Sequence, residues 1–158
     1  MHISAKSDYA IRAALEIARH EPEVVTAETI ASGQDLPRRF IVSILSDLRC
    51  ADLVRAQRGS AGGYVLTRPA RDITLGDVMR AVDGPLGEVH GLRPDDAAHA
   101  GAAQHLPDVW VALRTSLRQV LDETTLHDAL TGELPAHVRR MVDAPAGRAP
   151  GAGRRSEG

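Results

Sequence analysis

Three arginines stand where their chemistry would suit a polyanion. Arg38 and Arg39 directly follow Pro37 at the start of an amphipathic run, and Arg58 opens the glycine-dense link Arg58-Gly59-Ser60-Ala61-Gly62-Gly63. A guanidinium presents a planar fork of donors that fits phosphate oxygens or the O6/N7 edge of guanine. The stretch from Pro37 to Arg71 holds seven arginines (38, 39, 49, 55, 58, 68 and 71) against Asp47 and Asp52, a local charge of +5 on a chain of net charge −2. From Leu86 to Val138 three basic residues face eight acidic ones, a local −5. Salt confines such fields to a Debye length of ~8–10 Å, so a basic face can hold phosphates on a mildly acidic protein. Scattered, solvated arginines give the same count, and charge alone decides little.

Catalytic patterns are missing. No glycine-rich phosphate loop follows a strand, and no nucleophile sits with a recognisable base. Gly59, Gly62 and Gly63 join two strand-like runs and do not form a nucleotide-binding turn. The chain has 158 residues and one cysteine, Cys50, which allows no intrachain disulfide. No apolar run approaches the roughly 20 residues that span a bilayer, and Met1 to Asp8 lacks the apolar stretch of a signal peptide. A cytoplasmic protein is expected. Aromatics are 3% of the chain, so Leu, Ile, Val and Ala must pack the core, which favours closely joined helices.

The arginines need elements to aim them. A first helix is expected over Ser7–Arg19, capped by Ser7, with Asp8 in its first turn and Tyr9, Ala13 and Ile17 on one face. Thr26 caps a short second helix containing Ile30 and Ala31, and Gly33-Gln34-Asp35 breaks it. Pro37 then opens a longer helix whose apolar positions are Phe40, Ile41, Ile44, Leu45 and Leu48. Two helices around a short turn, the second led by arginines, is the organisation of a helix-turn-helix unit, although helical hairpins that never touch DNA share it. Strand-like runs at Leu53–Gln57 and Tyr64–Thr67 flank the glycine-dense link. A hairpin placed there is a wing, and Arg58 at its start is placed to reach a phosphate or a narrow minor groove. Tyr64 reads equally as a core-facing residue that supports the wing.

Thr74-Leu75-Gly76-Asp77 starts another short helix with Asp in the usual Glu position of a capping box, and Gly84-Pro85 ends it. Residues 86–105, rich in Gly, Ala, Asp and His, read as a loop or a poorly ordered helix. A long helix is expected over Leu106–Asp122, with Leu106, Trp110, Leu113, Leu117, Val120 and Leu121 along one stripe. With a core already available in 1–84, that stripe calls for a second copy of the chain, since two-fold dimers are the commonest oligomers and match two-fold DNA sites. Packing back onto its own domain is the alternative. The expected organisation is a winged helix-turn-helix domain over 1–84, a sensor-type loop over 85–105, a dimerisation helix and a short C-terminal helix over 106–143, and a disordered tail over 144–158. The fold class is mainly α with one small β-hairpin.

Three segments carry a family resemblance. ISAKSDYAIRAALEIA at Ile3–Ala18, LVRAQRGSAGGYVLTRP at Leu53–Pro69 and ITLGDVMRAVDGPL at Ile73–Leu86 resemble the Rrf2 family of bacterial transcription regulators. The likeness extends over about residues 1–130, through Trp110 and TTLHDAL at Thr124–Leu130. It implies a homodimer that binds a palindromic operator on double-stranded DNA as a transcription regulator, in the commoner case a repressor. Arg38 and Arg39 would then begin the recognition helix, while Arg58, Gly59, Ser60, Gly62 and Gly63 would form the wing. Family wings usually read Arg-Gly-Pro-Gly-Gly-Gly-Tyr, and Ser60 and Ala61 replace the Pro and the first Gly here.

Cluster-binding members of the family carry three cysteines in the loop before the dimerisation helix. This chain has none there, and one thiolate cannot hold an iron–sulfur cluster, so none is expected. His90, His99 and His105 occupy that loop, with Asp108 following, and Asp8 matches a position from which some members ligate across the dimer. Such ligands would suit a divalent ion such as Zn²⁺, and solvent-exposed histidines read as well. A metal-responsive regulator, a regulator with a small-molecule effector held beside Trp110, and a winged-helix module for protein–protein assembly remain the alternatives.

Overall fold

The computed structural model describes residues 3–86 and 100–144. The expected tail from residue 145 onward, and His90 and His99 of the loop, lie outside the described residues. Three helices come first: α1 (Ala5–Arg19), α2 (Ala27–Gly33) and α3 (Arg38–Cys50). The antiparallel strands β1 (Val54–Gln57) and β2 (Gly63–Leu66) follow, then α4 (Leu75–Asp83). After the loop come α5 (Leu106–Leu121), α6 (Leu126–Thr131) and α7 (Ala136–Asp143).

Helix α1 is the axis of the core. Ala10, Ala13 and Ala14 are fully or almost fully buried, and Ile17 beside them is too. Small side chains on this face let α3, α4 and α6 all approach α1 closely. Ile30, Ile44, Leu45, Leu48, Ile73 and Val78 fill the space between them. The core is not confined to the first 84 residues. Leu126 on α6 is completely buried in the same cluster, its N–H donates to the Ile73 carbonyl at 2.9 Å, and the Leu75 N–H donates to the Thr124 carbonyl at 2.9 Å. The chain therefore returns from α5 to finish the domain it left.

Local corrections have simple causes. Ser4, in extended conformation, caps α1 by accepting from the Ser7 N–H at 2.9 Å. Ser7, the expected cap, is instead buried and donates its hydroxyl to Asp83 on α4 at 2.7 Å. Pro37 is the cap residue of α3 and Arg38 its first helical residue, because the proline is extended (φ −62°, ψ 122°). The capping box of Thr74 and Asp77 forms as expected, and a second one, Thr125 with Asp128, starts α6.

Candidate nucleic-acid interface

A buried carboxylate fixes the turn between α2 and α3. Glu16 on α1 is 1% exposed and accepts from Gln34 Nε2 and from Arg19, both at 2.7 Å. Arg12, also on α1, donates to the Gln34 carbonyl. A buried charge is tolerable only when paired in this way, so these bonds hold the turn in one geometry. Thr26 caps α2 by accepting from the Thr29 N–H, and the Leu36 N–H donates to the Ala31 carbonyl at 2.8 Å as Leu36 turns into the core.

With the turn fixed, the 3.6-residue period of α3 decides which residues face outward. Ile41, Ile44, Leu45 and Leu48 are buried, which leaves Arg39, Val42, Ser43, Ser46 and Arg49 exposed along the opposite stripe. Val42 is 74% exposed. Reading the arginines alone missed Val42, Ser43 and Ser46; their signal was the complement of the apolar stripe. Arg38, one turn before Val42, is held in an ion pair with Glu28 of α2, both side chains exposed. The Arg39 guanidinium rests 4.9 Å above the Phe40 ring, and Phe40 packs against Tyr9 with centroids 5.6 Å apart.

The hairpin beside α3 pairs Val54 with Leu66, Arg55 with Val65, Ala56 with Tyr64 and Gln57 with Gly63. At its tip the Gly62 N–H donates to the Gly59 carbonyl at 3.0 Å, and Gly59 has φ +115°, which L side chains rarely adopt. Gly63 is required for a different reason. Tyr64 exchanges two backbone hydrogen bonds with Val25, at 3.0 and 2.8 Å, and a Cβ on Gly63 would stand 2.4 Å from the Val25 carbonyl oxygen. The wing is thereby pinned to the segment that precedes α2. Tyr64 is partly buried against the core, as a supporting residue would be. Arg58, Gly59 and Ser60 are exposed, and Arg58 has no ion-pair partner among the described residues.

On α5 the expected stripe is present, and no residue of the helix is buried within the chain. Leu113 is 44% exposed and Val109 56%, while Leu106, Trp110, Leu117, Val120 and Leu121 are half-buried. A groove of about 470 Å³ runs along it, lined among others by Ile3, Met79, Leu86, Leu113, Leu117 and Met141; Trp110 stands outside it. The far end of α5 is tied to α4 through ions. Arg80 donates to Asp77 at 2.9 Å and to Asp122 at 2.6 Å, and Arg118 Nε donates to Asp122 at 3.1 Å. Burial alone would raise the Asp77 carboxyl, but hydrogen bonds from the Thr74 N–H and Arg80 outweigh it and hold the group below its ordinary value.

Of the metal candidates, His105, Asp108 and Asp8 fall among the described residues. His105 and Asp108 are both highly exposed, 4.0 Å apart, and Asp8 pairs with Arg12 at 3.4 Å. Among the described residues no three His, Cys, Asp or Glu side chains are grouped as a metal site. The single cysteine, Cys50, is exposed at the end of α3. No helix of the described residues is long and apolar enough to cross a membrane.

A helix-turn-helix whose second helix turns a polar stripe outward, followed at once by a hairpin, defines a winged helix-turn-helix domain. Comparison with known proteins identifies the kind. The Rrf2 family profile, described as "Iron-dependent Transcriptional regulator", matches residues 3–132. A helix-turn-helix-type transcriptional regulator of Mycobacterium tuberculosis is 44% identical over 144 residues, covering 90% of this chain and 89% of its own. The regulator CymR of Bacillus subtilis is 34% identical over 87% of this chain and 98% of its own. The solved structure of that CymR, the global cysteine regulator of B. subtilis, superposes with a TM-score of 0.71 at 31% identity, over 84% of this chain and 98% of that one. An IscR from T. potens superposes with a TM-score of 0.67 at 29% identity, over 84% of this chain and 88% of that one. The chain belongs to the Rrf2 family and is a DNA-binding transcription regulator.

Proposed function

We propose that the chain acts as a homodimeric repressor that recognises a palindromic operator without an iron–sulfur cluster. The observation that carries this reading is α5, a sixteen-residue helix with an apolar stripe and no buried residue. Apolar area left in water costs about 25 cal/mol per Å², and a second copy of the same helix removes it on both sides at once. Two domains related by a two-fold axis then present two α3 helices to half-sites about one helical turn apart, roughly 34–36 Å. A duplex so covered is closed to other proteins, which is repression by occupancy.

Within each half-site, Arg39, Val42, Ser43 and Ser46 are the side chains aimed into the major groove, with Arg38 beside them. Arg39 would read guanine, and Val42 offers a methyl contact to thymine. Arg58 at the wing would meet backbone or minor groove and add affinity to every sequence. The donor set supports the absence of a cluster, because one exposed thiol at Cys50 stands at the end of α3 and not beside α5. Purified without oxygen, the protein is expected to show no visible charge-transfer absorption and no stoichiometric iron or zinc. A chromophore or one metal per chain would overturn that part.

Selection of duplexes from a random-sequence pool tests the function itself. An enriched inverted repeat, bound with an affinity that falls steeply with salt, supports it. Absence of any enriched sequence, or binding indifferent to salt, would favour a protein–protein assembly module instead.

A further inference from the structure

We infer that a cleft between the end of α3 and the first wing strand seats a phosphodiester of the DNA backbone, with Arg49 and Arg55 joining Arg58 as its ligands. The inference rests on the DNA-binding reading above and adds a site that the recognition stripe does not contain. The cleft has a volume of about 500 Å³, and Arg49, Arg55 and Arg58 line it together with Cys50, Asp52 and Ser46. Three guanidiniums against one carboxylate leave it strongly positive. All three arginines are exposed, and none has an ion-pair partner among the described residues. Several other surface arginines of this domain are committed, Arg38 to Glu28, Arg68 and Arg80 to Asp77, and Arg19 to Glu16, while Arg39 rests on the Phe40 ring. Like charges gathered without partners repel one another, so a local anion is the missing component.

Placement selects which anion. Ser46 and Arg49 belong to the outward stripe of α3 that begins at Arg39, and Arg58 starts the wing tip. The cleft is thus continuous with the recognition face at one side and the wing at the other. A duplex whose major groove receives α3 must pass one strand between that helix and the hairpin. A guanidinium's fork of donors suits phosphate oxygens, and such contacts set register without reading sequence. The backbone of Asp52 fixes the turn at the edge of the cleft, its carbonyl accepting from the Thr67 hydroxyl at 2.5 Å.

The sole cysteine makes the test direct, since Cys50 lies in the cleft and is exposed. The probe is the duplex that the wild-type chain enriches from a random pool. With Arg49→Gln or Arg55→Gln, affinity at about 0.15 M salt should fall several-fold. The slope of log affinity against log salt should shrink by about one for each substitution in each bound subunit. Arg55→Lys should restore most of the slope, and the enriched sequence should not change. Saturating duplex should slow alkylation of wild-type Cys50 by N-ethylmaleimide at least tenfold. Unchanged slopes for both glutamine variants, with Cys50 alkylated equally fast in free and bound protein, would overturn the cleft while leaving DNA binding intact. Failure of the wild-type chain to bind any enriched duplex would instead sink the reading on which the cleft depends. Circular dichroism of each variant shows whether the exposed substitutions leave the fold unchanged.

Discussion

Arg38 and Arg39 are adjacent in sequence but have different surroundings. Arg38 must leave Glu28 before it can meet a base, whereas Arg39 rests on Phe40 with its donors open to solvent. Arg39→Ala is therefore expected to alter the enriched sequence, costing about 1–3 kcal/mol on the preferred site and little on others. Arg38→Ala should do less, and competition between the original and altered duplexes measures both. The sequence alone showed the pair but not this asymmetry, which depends on where α2 lies. Gly63 is a second residue whose role changed once the fold was known. It read as part of the wing, and its missing side chain is needed against the Val25 carbonyl. Gly63→Ala should destabilise the domain by about 1–3 kcal/mol in urea unfolding, as overpacking does. Asp83 gives a pH-dependent case. Hydrogen bonds from Ser4 at 2.5 Å and Ser7 at 2.7 Å hold its carboxyl below the ordinary value, with Ser4 the larger influence and Lys6 nearby adding to it. The stability they supply is full above the ordinary aspartate range and is lost as pH falls through the depressed value. Unfolding followed from pH 6 down to pH 2 should show a shallower acid loss for Asp83→Asn than for the wild-type chain.

At the scale of elements, periodicity carried most of what was legible. Apolar spacing located α1, α3, α4 and α5, and capping residues located the starts of α2 and α4. The cap of α1 lies three residues before the expected one because Ser4 and Ser7 are equally good caps locally. Both reach Asp83, and what separates them is backbone and burial: Ser4 is extended outside the helix, whereas Ser7 is fully buried within it. The return of α6 to the core was also not legible, since nothing near Leu126 says which surface will receive it. The outward stripe of α3 was available in the sequence as the complement of its buried face. Attention to arginines obscured Val42, Ser43 and Ser46. Leu113→Glu places a charge on an exposed apolar stripe and should leave the monomer folded, because Leu113 is not a core residue. Loss of that side chain from both copies should weaken dimerisation by about 3 kcal/mol or more, roughly 100-fold, measured by sedimentation at several concentrations.

For the whole molecule, charge and shape act together. Of the basic stretch from Pro37 to Arg71, Arg39 and Arg49 lie on the outward stripe of α3, and Arg49, Arg55 and Arg58 line the cleft between α3 and the hairpin, while Arg68 turns to Asp77. A net charge of −2 for the entire chain hides it. The relay of Asp77, Arg80, Asp122 and Arg118 fastens α5 to the DNA-binding domain, so in the proposed dimer the angle between the two half-site readers would depend on how α5 meets its copy. The claim that two such copies act as one unit on one duplex is tested most directly by the mass of the complex. Light scattering of the wild-type chain with its enriched duplex should give two chains per duplex, with Leu113→Glu unable to reach that mass at the same concentration. One chain per duplex at saturation, or an equal mass for the Leu113→Glu complex, would contradict the account.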